Sequence, residues 1–364
     1  MTLSISRHRR NRQPSLRTAC VLAALPFSAA VMFWGTGRLH AADALVKVTP
    51  LGSHSGELCS ADRALLFEDP TGVRILYDPG NTTDESDPRL GEVNVMLLSH
   101  AHGDHLGNTR PNRSSAGTCA APANAGANAN SNFATIAAIK NAAVIAFDTN
   151  GLVGSRIQAA RGGAATPGCN SAGLELETII PVASPCLAVL NPLSGGRTFR
   201  RPGTAGVRIF GVPALHPNSA PAPFVDAPGL PPGVLGFVGA AGGYVVRFSN
   251  GLTAYLTGDT GLFGDMQIIG RFHRPNLVVL NLGDAFSLGV DEAVFAIREL
   301  VRPTTVMPSH VNEAATSGGA IRAITRTEDF ARRSRAFADV VLPLSDVTLT
   351  FDGGGRCIGC AVIR

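Results

Sequence analysis

Charge is scarce in this chain. Only 16% of its 364 residues are Asp, Glu, Lys or Arg, and the part beyond residue 42 carries no basic excess. Six arginines (Arg7, Arg9, Arg10, Arg12, Arg17 and Arg38) fall in residues 1–42, which hold no Asp or Glu; the remaining 25 basic residues face 27 acidic ones. Nucleic-acid-binding domains usually show the opposite balance, so nucleic acid is not expected as a partner. There is no internal repeat and no clean linker, and residues 43–364 are expected to form one domain. A second CxxC is also missing. Cys357-Ile-Gly-Cys360 therefore cannot complete a four-thiolate zinc site and reads as a terminal disulfide staple. What is present is a 45% hydrophobic chain with 41 Gly and 24 Pro. That composition is globular and loop-rich rather than disordered or fibrous.

Residues 1–42 have the layout of an export signal. A basic region over 7–17 precedes an uncharged apolar run over 19–35, and the small residues Ala41 and Ala42 follow. The run is slightly short for a membrane span, so cleavage is expected, with no membrane attachment afterwards and a periplasmic or secreted location. The Arg9-Arg10 pair hints at twin-arginine export. Asn11, Arg12, Gln13 and Pro14 fit that signal poorly, and the Sec route is favoured. Beyond the signal lie Cys59, Cys119, Cys169, Cys186, Cys357 and Cys360. An even number suits an oxidising compartment, though six cysteines allow fifteen complete pairings.

Strands are expected over 45–48, 64–68, 74–77, 93–98 and 143–147, and again over 207–212, 243–248, 253–257, 277–282, 305–307, 340–342 and 347–351. Ser249-Asn250-Gly251 is a strong hairpin signal. Helices are expected over 133–141 and 290–300. Two stretches, about 109–132 and 151–206, read as irregular insertions, and the Gly-, Ala- and Pro-rich loop 220–242 as a pocket wall. Strands followed by a helix, twice over, suit an α+β chain of sheets covered by helices.

The chemistry is concentrated in Ser99-His100-Ala101-His102-Gly103-Asp104-His105, directly after the apolar run 93–98. His100 and His102 are two apart, so an extended backbone points both rings to one side. Gly103 lets the chain turn, and Asp104 and His105 then approach from another direction. One loop can thereby serve two metal ions. Further ligands stand at later strand ends: His216, Asp259 and His310. Only seven histidines lie beyond residue 42, and five fall at these positions. Of the other two, His54 sits in a Ser/Gly loop, and His273, between arginines, is expected at the surface. Imidazoles and carboxylates without a cysteine suit zinc, manganese or iron.

The HxHxDH segment with the later His, Asp and His resembles the metallo-β-lactamase superfamily. The stretch Gly258-Asp-Thr-Gly-Leu-Phe-Gly-Asp-Met266, with Leu282-Gly-Asp284 and Pro308-Ser-His310, is similar to the branch of metal-dependent hydrolases related to bacterial L-ascorbate-6-phosphate lactonase. The resemblance spans roughly residues 45–350 and implies a four-layer αβ/βα sandwich, here with two loop insertions. It implies His100, His102 and His216 on one ion, Asp104, His105 and His310 on a second, and Asp259 bridging both. Zn2+ is the expected metal, with Mn2+ or Fe as alternatives. Asp104 and Asp259 are then the catalytic carboxylates. Asp78, in Tyr77-Asp78-Pro79-Gly80, resembles an early strand-end aspartate that braces the metal loop. Asp284 is a candidate for orienting a ligand imidazole or touching substrate, and Asn312 for donating to an oxyanion.

The leading expectation is a dinuclear hydrolase that turns a metal-bound hydroxide on an ester, lactone, amide or phosphodiester of a small molecule. Two alternatives belong to other classes: an iron-dependent oxidoreductase of the same fold, and a non-enzymatic exported metal-binding protein. No flavin-binding domain accompanies the site, and none of the seven ligands is missing, as a retained but inactive site would suggest.

Overall fold

Strands with both faces buried, such as Val95–Leu97 and Leu277–Asn281, need a covering layer on each side. The computed structural model supplies it. It describes residues 44–113, 115–170, 176–221 and 234–363; the expected export signal and residues 222–233 of the loop 220–242 lie outside them. One sheet has seven strands, in the order Cys186–Leu187, Ala143–Ile145, Val95–Leu97, Arg74–Tyr77, Leu65–Glu68, Val46–Pro50 and Leu349–Phe351. The other has nine, with Val207–Pro213, Gly242–Arg247, Thr253–Leu256, Leu277–Asn281 and Thr305–Ser309 at its centre.

The sheets bury their facing sides against each other. Phe67, Ile75, Tyr77 and Leu97 from the first meet Phe199, Ile209, Tyr244 and Val279 from the second in one apolar cluster. The outer face of the first sheet packs on helices Asn132–Lys140 and Asn150–Ala160 through Leu76, Met96, Phe133 and Val153. The second packs on Asp265–His273, Val290–Phe295 and Arg326–Ser334 through Val278, Leu280, Ile269, Ala293 and Phe330. The result is the four-layer α+β sandwich.

Parallel pairing fixes the site. Arg74–Tyr77, Val95–Leu97 and Ala143–Ile145 run parallel, as do Thr253–Leu256, Leu277–Asn281 and Thr305–Ser309. Their carboxyl ends therefore open together within each sheet, where α/β-type sites form. Tyr244 ties the sheets at that end: its buried hydroxyl donates to the Leu98 carbonyl at 2.6 Å and the Ile145 carbonyl at 3.0 Å.

Three expectations need correction. The stretch 109–132 is not an irregular loop but a two-tier hairpin, pairing Thr109–Pro111 with Asn124–Ala127 and Gly117–Thr118 with Ala121–Pro122. Its Asn, Ala and Gly residues have weak strand propensity, so backbone pairing forms without a sequence pattern to betray it. Much of 151–206 is likewise regular, with most of the helix Asn150–Ala160 and the strands Glu177–Ile179, Cys186–Leu187 and Arg197–Arg200. The helix expected over 290–300 divides into Val290–Phe295 and a wider π-turn, Ala296–Val301. Helix Arg326–Ser334 was not among the expected elements, although Thr325, which accepts from the Glu328 N–H at 3.1 Å, opens a Thr-x-x-Glu cap signature. Of the fifteen pairings, the chain adopts Cys59–Cys119, Cys169–Cys186 and Cys357–Cys360.

Candidate metal centre

Strand Val95–Leu97 delivers Ser99 and His100 into the gap between the sheets, and the chain then winds into the short helix Gly103–Leu106. Gly103 matters for a different reason than turning. Its backbone is outside the left-handed region, but a Cβ there would collide with the Asn108 side chain. The left-handed residue is Gly107 (φ 82°), which closes the helix against the Gly80 carbonyl, leaving no room for a side chain.

The remaining ligands arrive from the second sheet. His216 follows Val207–Pro213, Asp259 follows Thr253–Leu256, and His310 follows Thr305–Ser309. The His216 and Asp259 loops are clipped together, since Leu215 N–H donates to Thr260 Oγ1 at 2.9 Å and Gly261 N–H to the Leu215 carbonyl at 3.0 Å. All seven expected ligands converge. Their ligating atoms form three groups, each within 4.8 Å: His100–His102–His216, His100–His105–Asp259, and Asp104–His105–His310. His100 and His105 link the groups, and Asp259 stands among them, with Oδ2 3.5 Å from His105 Nε2 and His310 Nε2, 3.7 Å from His216 Nε2 and 3.9 Å from His100 Nε2.

These residues fit a metal. The Nε2 atoms of His100 and His105 are buried and meet no hydrogen-bond partner among the described residues, an arrangement that costs free energy unless something binds there. Burial, reinforced by the neighbouring His105, pushes the His100 pKa well below the ordinary imidazole value. His100 is thus held neutral. Burial also opposes a proton on His105, but Asp259, Asp104 and Asp78 outweigh it and raise its pKa to about 10. Three carboxylates around one buried imidazole demand positive charge, which a divalent cation supplies in place of that proton.

Asp78 braces the loop, as the resemblance implies. It is fully buried, accepts from Ser99 N–H at 2.8 Å and Ser99 Oγ at 2.6 Å, and holds His105 Nδ1 at 2.8 Å. That bond keeps the His105 proton on Nδ1 and turns Nε2 toward the ligands. Asp78, Asp284, His310 and Asn312 all have φ between 40° and 59°, a conformation costly for non-glycine residues and concentrated at functional sites.

Among the described residues, no hydrogen bond or ion pair joins Asp284 or Asn312 to the histidines of the cluster. Both line a cleft of about 590 Å3 that opens onto His102, Asp104, His216 and Asp259. Asp284 faces Arg326 at 3.7 Å, and Asn312 Nδ2 reaches the Gly283 carbonyl at 3.5 Å.

Sequence reasoning missed four contributors. Asn281 Nδ2 donates to Asp259 Oδ1 at 2.7 Å, leaving Oδ2 to face the histidines. Asn218 accepts from Ala101 N–H at 2.8 Å and steadies the HxHxDH loop. Arg326 lines the cleft, and Arg63 contacts two ligands. Only Asn281, at the end of an apolar strand, carried a usable signal. His273 requires a correction: it is buried, 4.9 Å ring to ring from Phe210, with Arg247 at 3.5 Å. Burial first, then Arg247, lowers its pKa to about 4.

No protein-family model matches the chain. It is similar to UPF0173 metal-dependent hydrolases. The one from Cupriavidus necator is 28% identical over 248 residues, 66% of this chain and 68% of that protein. The one from Pelotomaculum thermopropionicum is 29% identical over 270 residues, 73% of this chain and 85% of that protein. Among solved structures, the chain matches Igni18, a metallo hydrolase of Ignicoccus hospitalis, at a TM-score of 0.50 and 20% identity, covering 85% of this chain and 99% of that one. That likeness concerns the fold alone. With its four-layer sandwich and its converging histidines and aspartates, the chain has the metallo-β-lactamase fold and is similar to the UPF0173 metal-dependent hydrolases.

Proposed function

We propose that the chain is a dinuclear metal-dependent hydrolase, with His100, His102 and His216 holding one ion, Asp104, His105 and His310 a second, and Asp259 shared. The observation that carries this reading is the pair of buried, unpartnered Nε2 atoms of His100 and His105, aimed into a cluster where one carboxylate oxygen faces four imidazoles. When bound, divalent ions at such a centre make hydroxide available at neutral pH and polarise the bond under attack.

The chain's own residues supply the rest. Asn281 fixes the Asp259 carboxylate, and Asp78 fixes His105. Asp104 is partly exposed and lines the cleft. Arg326 and Asn312 put donors on one wall, while Phe286, 72% exposed, offers an apolar surface beside them. The cleft thus suits a small molecule with a hydrolysable ester, lactone, amide or phosphodiester, an anionic or polar group for Arg326, and an apolar flank. The relatives named as hydrolases favour this over an iron oxidoreductase.

Export to an oxidising compartment belongs to the same proposal, supported by the basic-then-apolar start of the chain and three disulfides. The test is elemental analysis of the purified protein together with turnover of lactone, phosphodiester and β-lactam panels before and after chelation. About two equivalents of zinc or manganese with chelator-sensitive turnover supports the proposal. Iron with oxygen uptake, or no bound metal, overturns it. The mass of the purified protein shows whether the first 42 residues are removed.

A further inference from the structure

Arg63 stands where a cation is least expected. Its side chain is only 5% exposed, and it enters from the first sheet, just before Leu65–Glu68. Nη1 donates to the Ala61 carbonyl at 2.9 Å, while Nη2 lies 3.0 Å from His310 Nε2 and 3.1 Å from Asp104 Oδ2. Its stem packs beside Gly80, and the His310 N–H donates to the Asp62 carbonyl at 3.3 Å. The guanidinium and the His310 loop are therefore held against each other by backbone as well as side chain.

A guanidinium does not lose its proton in a protein and has no acceptor atom. Its contacts with His310 and Asp104 thus draw on electron density that an ion at Asp104–His105–His310 would need. An ion at an ordinary ligand distance of about 2.0–2.2 Å from those atoms lies within about 5 Å of Nη2. Around His100, His102 and His216 the described contacts are instead with other imidazoles, Asp259 and, at His100 Nδ1, the neutral Ser99 hydroxyl. One position faces a fixed positive charge and the other does not.

We infer that Arg63 makes the two metal positions unequal: it opposes an ion at Asp104–His105–His310 and leaves His100–His102–His216 as the tight position. This rests on the two-position reading above and specifies its stoichiometry. The chain carries one firmly held ion and a second that exchanges readily. Arg63 acts through Asp104 and His310, and is a positioning residue.

The experiment is a Zn2+ titration of the stripped, intact chain against a chromophoric chelator, with Arg63→Met alongside. The wild type is expected to bind one equivalent tightly and a second at least roughly tenfold more weakly, and Arg63→Met to tighten the second by about tenfold or more. Two indistinguishable equivalents in the wild type overturn the inference while leaving the hydrolase reading intact, as does an unchanged second affinity in Arg63→Met. A chain that binds no zinc overturns both. Should Arg63→Met fail to fold, the wild-type stoichiometry decides by itself. Arg63→Lys, which keeps the charge without the fork, is then expected to retain the inequality.

Discussion

Replacing Asp78 by asparagine separates the electrostatics of the metal loop from its shape. The side chain keeps its size, and its remaining oxygen can still accept from the Ser99 N–H, now 2.8 Å from Oδ1. The new amide NH2 then faces His105 Nδ1, which presently donates to Oδ2 at 2.8 Å. Two donors cannot share that contact. The imidazole must move its proton to Nε2, the atom turned toward Asp259 and Asp104 at 3.5 and 3.9 Å. A protonated Nε2 has no lone pair for an ion. Loss of such an outer partner costs about 10–100-fold in metal affinity, or about 1.4–2.7 kcal/mol. The metal-free protein loses one charge-assisted bond, about 1.5–3 kcal/mol. Chelator-competition titration reads the first quantity and urea denaturation of the stripped protein the second. Metal affinity within threefold of the wild type, in a folded Asp78→Asn protein, would refute the reasoning. Asp78→Ala is the contrast: it removes the acceptor from the Ser99 N–H, Ser99 hydroxyl and His105 N–H, leaving the hydroxyl and the imidazole only their contacts with each other and with His100. With about 1–3 kcal/mol for the unpaired Ser99 N–H alone, it should mainly destabilise the fold.

Three further outcomes are expected. Asn281→Leu frees Asp259 Oδ1 from its 2.7 Å donor and should weaken metal binding about tenfold, measured by the same titration; unchanged affinity would show that Asp259 needs no orienting partner. Tyr244→Phe removes the hydroxyl donated to the Leu98 and Ile145 carbonyls and should destabilise the chain by about 1–2 kcal/mol, read as a shift of the urea midpoint. Replacing Cys59 and Cys119 by serine opens a loop with a sequence separation of 60 residues; chain entropy puts the cost at about 4 kcal/mol. Equal midpoints for the oxidised wild type and that double variant would count against the pairing.

Much of the site could be read directly because its ligands follow short apolar strands. Residues 74–77 were expected as a strand and form Arg74–Tyr77, and the run 207–212 is realised as Val207–Pro213. Once those strands are placed, their ends carry His100, His216, Asp259 and His310 into one region with little freedom left. The hairpin around Cys119 escaped notice because Asn, Ala and Gly pair through the backbone alone, without the alternation that marks a half-buried strand. His273 escaped for the reverse reason. Flanking arginines suggested solvent, yet its helix turns the ring inward onto Phe210.

The order of residues determined the chemistry: which groups could bind metal, on what strand ends, and that Asp104 and Asp259 would be the acids among them. Tertiary structure alone decided that Asp259 faces four imidazoles at once, how Cys59, Cys119, Cys169 and Cys186 pair, and that Arg63 reaches Asp104 and His310 from 41 and 247 positions away in the chain. Ligand types and strand periodicity are local properties, written in neighbouring residues. Charge placement in a buried site is set by which distant segments pack together, and no local pattern encodes that distance.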